Sequence, residues 1–137
     1  MISRSEMMRN IHSENTKPEV RLRKKLYALG FHYRLHKKTL PGSPDIVITK
    51  SKVAIFVNGC FWHAHGCKKS SCPKTHSEFW KKKFAANEAR DILNNRKLSM
   101  LGYRVATVWE CAIAKDLSRT AELLALFIRG KEDEIEI

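Results

Sequence analysis

The stretch Ile55-Phe56-Val57-Asn58-Gly59-Cys60-Phe61-Trp62-His63-Ala64-His65-Gly66-Cys67 constrains this chain more than any other. Its first residues are β-branched and aromatic and read as a buried strand, which Gly59 breaks. Cys60, His65 and Cys67 follow within eight positions. Thiolate sulfur and imidazole nitrogen are the donors Zn²⁺ prefers, and three of them on a short loop can converge on one ion, with a fourth brought from elsewhere. The alternative, buried apolar thiols beside solvated histidines, is disfavoured by the clustering.

A chain of 137 residues fits one domain with a single core. Met1 to Glu6 carry no apolar h-region, so no secretory signal is expected. The apolar run Leu123 to Ile128 is too short to span a bilayer and fits a core helix. A cytoplasmic protein with reduced thiols is therefore expected, in which clustered cysteines point to metal rather than disulfides. Net charge is +12, and residues 1–130 hold twenty-five basic residues against ten acidic ones. Such an excess suits a polyanion, most simply nucleic acid. An anionic membrane is disfavoured, because no segment combines a wide apolar face with a lysine face.

Taken in order, Ser3-x-x-Glu6 can cap a short helix bearing Met7, Met8 and Ile11. Thr16-Lys17-Pro18-Glu19 opens a stronger one, with Leu22, Leu26 and Leu29 on one face and Gly30 as its stop. Phe31–His36 alternates as a strand, Leu40–Asp45 turns, and Ile46–Ile48 returns through a hairpin at Lys50-Ser51 into Val53–Val57. A helix is expected from Glu78 to Leu101, with a break near Ala86 and with Ile92, Leu93, Met100 and Leu101 facing the core. Tyr103–Trp109 reads as a third central strand, and a last helix runs from Asp116 or Ser118 to Ile128. The acidic residues 131–137 read as a disordered tail. The pattern predicts an α/β fold, a mixed sheet flanked by helices.

Two constellations carry chemistry. Cys111 follows a strand expected beside Val53–Val57, so Cys60, His65, Cys67 and Cys111 could close a tetrahedral structural zinc site. Cys72 or His76 could instead replace His65 or Cys111, since Cys67, Cys72 and His76 also have zinc-like spacing. The second constellation is Glu19, Asp45 and His63. Asp45 is the lone carboxylate among twelve Lys or Arg between residues 20 and 77. Carboxylate oxygens suit Mg²⁺, and neutral His63 could take a proton from an attacking water. Capping and turn roles are the plainer readings of Glu19 and Asp45.

Pro44-Asp45 on a hairpin, Gly59-Cys60-Phe61-Trp62-His63-x-His65-x-Cys67, Glu78-Phe79-Trp80 and Trp109-Glu110-Cys111 together resemble the very-short-patch mismatch repair (Vsr) DNA endonucleases. Arg4-Ser5-x-Met7-Met8-Arg9 and Leu40-Pro41-Gly42-x-Pro44-Asp45 fit as well, so the resemblance extends to about Ile128. It implies a restriction-endonuclease-like core with a structural zinc site and Mg²⁺-dependent nicking of double-stranded DNA 5′ to the thymine of a T·G mismatch. It implies that Asp45 and the Val57 backbone carbonyl hold Mg²⁺, that His63 is the general base, and that Glu19 supports it. Cys60, His65, Cys67 and Cys111 match the zinc ligands, in preference to Cys72 and His76. Phe61, Trp62 and Trp80 match aromatics that wedge into the base stack. Residues 1–15 become a DNA-contacting helical arm of an endonuclease domain spanning 1–130. A monomer and a bacterial, nucleoid-associated setting are implied too.

One departure stands out. The family usually has Thr-His before Gly-Cys, where this chain has Val57-Asn58. Asn58 is then a catalytic-site position whose side chain can hydrogen-bond water or phosphate but cannot accept a proton near neutral pH. Two other functions compete with mismatch nicking: a zinc-stabilised DNA-binding protein without catalysis, and a restriction-like nuclease of the same fold.

Overall fold

The computed structural model describes residues 16–59 and 77–137. The expected Ser3–Glu6 helix and DNA-contacting arm lie outside the described residues, as do Cys60, Phe61, Trp62, His63, His65, Cys67, Cys72 and His76. In chain order the elements are α1 (Lys17–Ala28), β1 (Arg34–Leu35), β2 (Ile46–Ile48), β3 (Val53–Asn58), α2 (Ser77–Met100), β4 (Arg104–Trp109), α3 (Glu110–Lys115), α4 (Leu117–Arg129) and β5 (Glu134–Glu136).

The five strands form one sheet in the order β1-β2-β3-β4-β5. The hairpin β2–β3 and the β1–β2 pair are antiparallel, while β3–β4 and β4–β5 are parallel. A parallel pair needs a crossover, and the segment containing α2 supplies it between β3 and β4.

Alternation along the strands separates two layers. Ile46, Ile48, Val53, Ile55, Ala106 and Val108 pack with Leu22 and Leu26 of α1, Ile113 of α3 and Leu124, Phe127 and Ile128 of α4. The opposite face carries the smaller cluster of Ala54, Val105 and Leu98. Arg104 ties the two ends of this core together. Its guanidinium donates to the carbonyls of Phe127 and Ile128, each at 2.7 Å, and lies over the Phe127 ring. Both carbonyls belong to the last turn of α4, where acceptors run out of intrahelical donors; that of Phe127 also accepts from the Gly130 N–H at 3.2 Å.

Three expectations need correcting. Helix α2 is continuous through Ala86, and Ile92, Leu93, Met100 and Leu101 are exposed, Met100 to 87%. Phe84 and Leu98 are its buried residues, fourteen positions apart on one face, and that spacing sets the face toward the sheet. The strand expected over Phe31–His36 shrinks to Arg34–Leu35, because His36 takes a left-handed backbone conformation (φ 47°). The acidic tail is an ordered edge strand rather than a disordered segment. Glu134-Ile135-Glu136-Ile137 alternates, its isoleucines lean on the core, and β4 offers open edge groups. The Trp109 indole N–H also donates to Glu136 Oε1 at 2.7 Å.

Leu124 is fully buried in the main layer. Leu124→Ala is expected to lower unfolding free energy by about 2–5 kcal/mol, read by urea denaturation.

Candidate active site

Helix α1 starts as its sequence suggests. The Thr16 hydroxyl accepts from the Glu19 backbone N–H at 3.4 Å, and Pro18 lies in the first turn, where no intrahelical donor is needed. The Glu19 side chain points inward and is only 1% exposed. A buried carboxylate requires partners. Arg23, one turn along, approaches Glu19 Oε2 at 3.0 Å, and His36 Nε2 lies 3.3 Å from the same oxygen.

Asp45 stands immediately before β2, following the turn that Gly42 and Ser43 make with positive φ. Its Oδ2 accepts from the Val57 backbone N–H at 2.8 Å, tying the start of β2 to the end of β3. The His36 N–H donates to the Asp45 carbonyl at 3.1 Å. Glu19, His36 and Asp45 each present a ligand atom, and these atoms lie within 4.8 Å of one another. Cis and trans donors around an octahedral divalent ion with ~2.1 Å bonds are about 3 and 4.2 Å apart. The trio therefore fits a divalent cation after closing by at most about 2 Å, with hard carboxylate oxygens supplying the negative charge.

Asp45 and Glu19 are thus brought together, and the Val57 backbone joins them through its N–H. Asn58 lies elsewhere. Strand alternation turns it away from Val57, into a groove of about 850 Å³ beneath α2 that is also lined by Lys81, Asp91, Thr107 and Trp109. Cys111 is half-buried in the first turn of α3, two residues past the end of β4. Asn58 ends β3 in register with Trp109, so the chain toward Cys60 departs from the same end of the sheet as Cys111. Trp80 is half-buried near the start of α2, stacked on Phe84 (6.0 Å) and edge-on to the exposed Phe79 (5.4 Å).

His36 is the member of the cluster that sequence reasoning passed over. Its signal was the β1–β2 pairing. Once Leu35 sits opposite Ile46, the next residue of β1 comes level with Asp45.

A mixed sheet flanked by helices, with a carboxylate at the start of β2 and a buried helical glutamate behind it, fits the restriction-endonuclease-like class of folds. The sequence model of the DNA mismatch endonuclease Vsr family matches residues 2–69. The type II nicking enzyme V.NmeAIP of Neisseria meningitidis is 42% identical over 132 residues, covering 96% of this chain and 94% of that one. The type II nicking enzyme V.XorIIP of Xanthomonas oryzae is 43% identical over 111 residues, covering 81% and 82% respectively. The DNA mismatch endonuclease Vsr of Escherichia coli is 40% identical over 122 residues, covering 89% and 78%. The chain belongs to the Vsr family of DNA mismatch endonucleases. Among the described residues, no helix is long and apolar enough to cross a membrane.

Removing the Glu19 carboxylate takes away the oxygen that the largely buried Arg23 guanidinium meets at 3.0 Å. Glu19→Ala is expected to cost about 1–3 kcal/mol in urea unfolding, with far-ultraviolet circular dichroism unchanged.

Proposed function

We propose that this protein nicks one strand of double-stranded DNA 5′ to the thymine of a T·G mismatch, by Mg²⁺-dependent phosphodiester hydrolysis. The observation that carries the reading is the convergence of buried Glu19 and half-buried Asp45 at the end of β3, the strand that leads into Gly59-Cys60-Phe61-Trp62-His63.

Asp45 and Glu19 are the carboxylates placed to hold the cation, joined in this reading by the Val57 carbonyl. When bound, the ion stabilises negative charge on the phosphorane and the leaving oxygen. Asp45 is aimed by the Val57 N–H, which occupies one oxygen and fixes the carboxylate's orientation. His63, six residues past Val57, takes the proton from the attacking water. Asn58, where the family usually has histidine, cannot accept a proton and opens into the groove beneath α2, so the general-base role rests on His63 alone.

Zn²⁺ held by Cys60, His65, Cys67 and Cys111 would fix the motif loop to the start of α3. The donors are the soft set a closed tetrahedral site requires, and metal binding there would contribute to folding. Phe61, Trp62 and Trp80 enter the base stack. A mismatched step costs least to open, so wedging favours T·G over paired sites before any base edge is read. Exposed Lys81, Lys82 and Lys83 on α2 supply phosphate contacts, making affinity fall with salt.

With Mg²⁺ and an end-labelled duplex carrying one T·G pair, a single-strand product ending 5′ to the thymine is expected. The matched T·A duplex should remain intact. Asp45→Asn should abolish the nick while DNA binding stays equal or slightly tighter. Equal cleavage of both duplexes would leave a restriction-like nuclease, and no cleavage would leave a DNA-binding protein. Elemental analysis of purified protein is expected to find one zinc per chain, and Cys111→Ser to release it.

A further inference from the structure

We propose that His36 is a further protein ligand of the cleavage-site cation, beside Glu19, Asp45 and the Val57 carbonyl, and that its imidazole makes the site select Mn²⁺ over Mg²⁺. The proposal rests on reading Glu19 and Asp45 as the cation site.

Three features of the structure converge on it. His36 Nε2 is 3.3 Å from Glu19 Oε2, and its ligand atom lies within 4.8 Å of those of both carboxylates. The side chain is 14% exposed, so it is held inside the cluster rather than swinging in solvent. Its backbone is held in the left-handed region (φ 47°), a costly conformation for a residue with a Cβ, and is fixed there by its N–H on the Asp45 carbonyl. Residue 36 could extend β1 without that strain. The bend aims the imidazole at the carboxylates.

The donor set decides which cation benefits. Mg²⁺ is a hard ion that prefers oxygen and keeps several waters. Imidazole nitrogen suits borderline ions, and affinity rises from Mn²⁺ onward along the divalent first-row series. Arg23 strengthens this bias. Its guanidinium sits 3.0 Å from Glu19 Oε2 and neutralises part of the charge that would attract Mg²⁺ electrostatically. A dative nitrogen bond does not depend on that charge. With an ion bound, His36 Nε2 and Glu19 Oε2 would each turn from their 3.3 Å contact to the metal.

The test is direct metal binding to the zinc-loaded protein, without DNA. Isothermal titration with MnCl₂ and with MgCl₂ should show at least tenfold tighter Mn²⁺ binding. Electron spin echo modulation of the bound Mn²⁺ should show coupling to ¹⁴N. In H36Q the modulation should vanish and Mn²⁺ affinity fall at least tenfold, with Mg²⁺ affinity changing less than about threefold. Should H36Q fold poorly by circular dichroism, H36N serves the same purpose, and the ¹⁴N signal of the parent protein is itself decisive. Absence of ¹⁴N coupling in the parent, or its persistence in the variant, overturns His36 as a ligand. Asp45→Asn separates the two readings. If it abolishes binding of both ions, the carboxylate site stands whatever His36 does. If neither ion depends on Asp45, the cation site itself is misplaced and the proposal falls with it.

Discussion

Six residues of β3 pair in parallel with six of β4, from Val53 opposite Arg104 to Asn58 opposite Trp109, and the functional geometry follows from that register. Parallel strands end on the same side of a sheet. The chain leaving β3 toward Gly59-Cys60 and the chain leaving β4 toward Cys111 therefore emerge together. Strand β2 runs antiparallel to β3, so its beginning is level with the end of β3, and Asp45 arrives at this side as well. One edge of the sheet thus collects a carboxylate, a thiol and the root of the motif loop.

Helix α1 completes that edge from above. Its leucines dock on the main core layer, which fixes the rotation of the helix and drives Glu19 inward. An ionised carboxylate in such a place is costly unless it is paired and hydrogen-bonded. Arg23 meets that need from within the helix, and His36 meets it from the turn after β1. The three-residue cluster is therefore a locally strained arrangement supported by a well-packed layer. This is the distribution expected of a catalytic centre built on a rigid scaffold.

Much of this was legible in the sequence. The capping pattern of Thr16 to Glu19, the Pro-Gly turn before Asp45 and the β-branched runs of β2, β3 and β4 each followed from local chemistry. Glu19 and Asp45 could be paired as candidates because each stood at an element's start. His36 was missed because its position depends on a two-residue strand and a left-handed bend, neither of which periodicity reveals. The inward face of α2 was misjudged for a different reason. Between Phe84 and Leu98 that face is polar, with Asn87, Asp91, Asn94 and Asn95 half-buried, while apolar Ile92 and Leu93 face solvent. Hydrophobic pattern alone inverts such a helix. For the tail, net acidity outweighed the alternating isoleucines that mark an edge strand, and it was the alternation that the fold followed.

One divalent cation is proposed to sit between α1, the start of β2 and the end of β3. Anomalous differences measured above and below the manganese absorption edge, from crystals soaked in MnCl₂, are the most direct test, because they separate manganese from the proposed zinc. A single manganese peak within bonding distance of Glu19, His36 and Asp45 is expected, and it should be absent from crystals of Asp45→Asn. A manganese peak only away from these side chains, or an unchanged manganese peak in the variant, would contradict it.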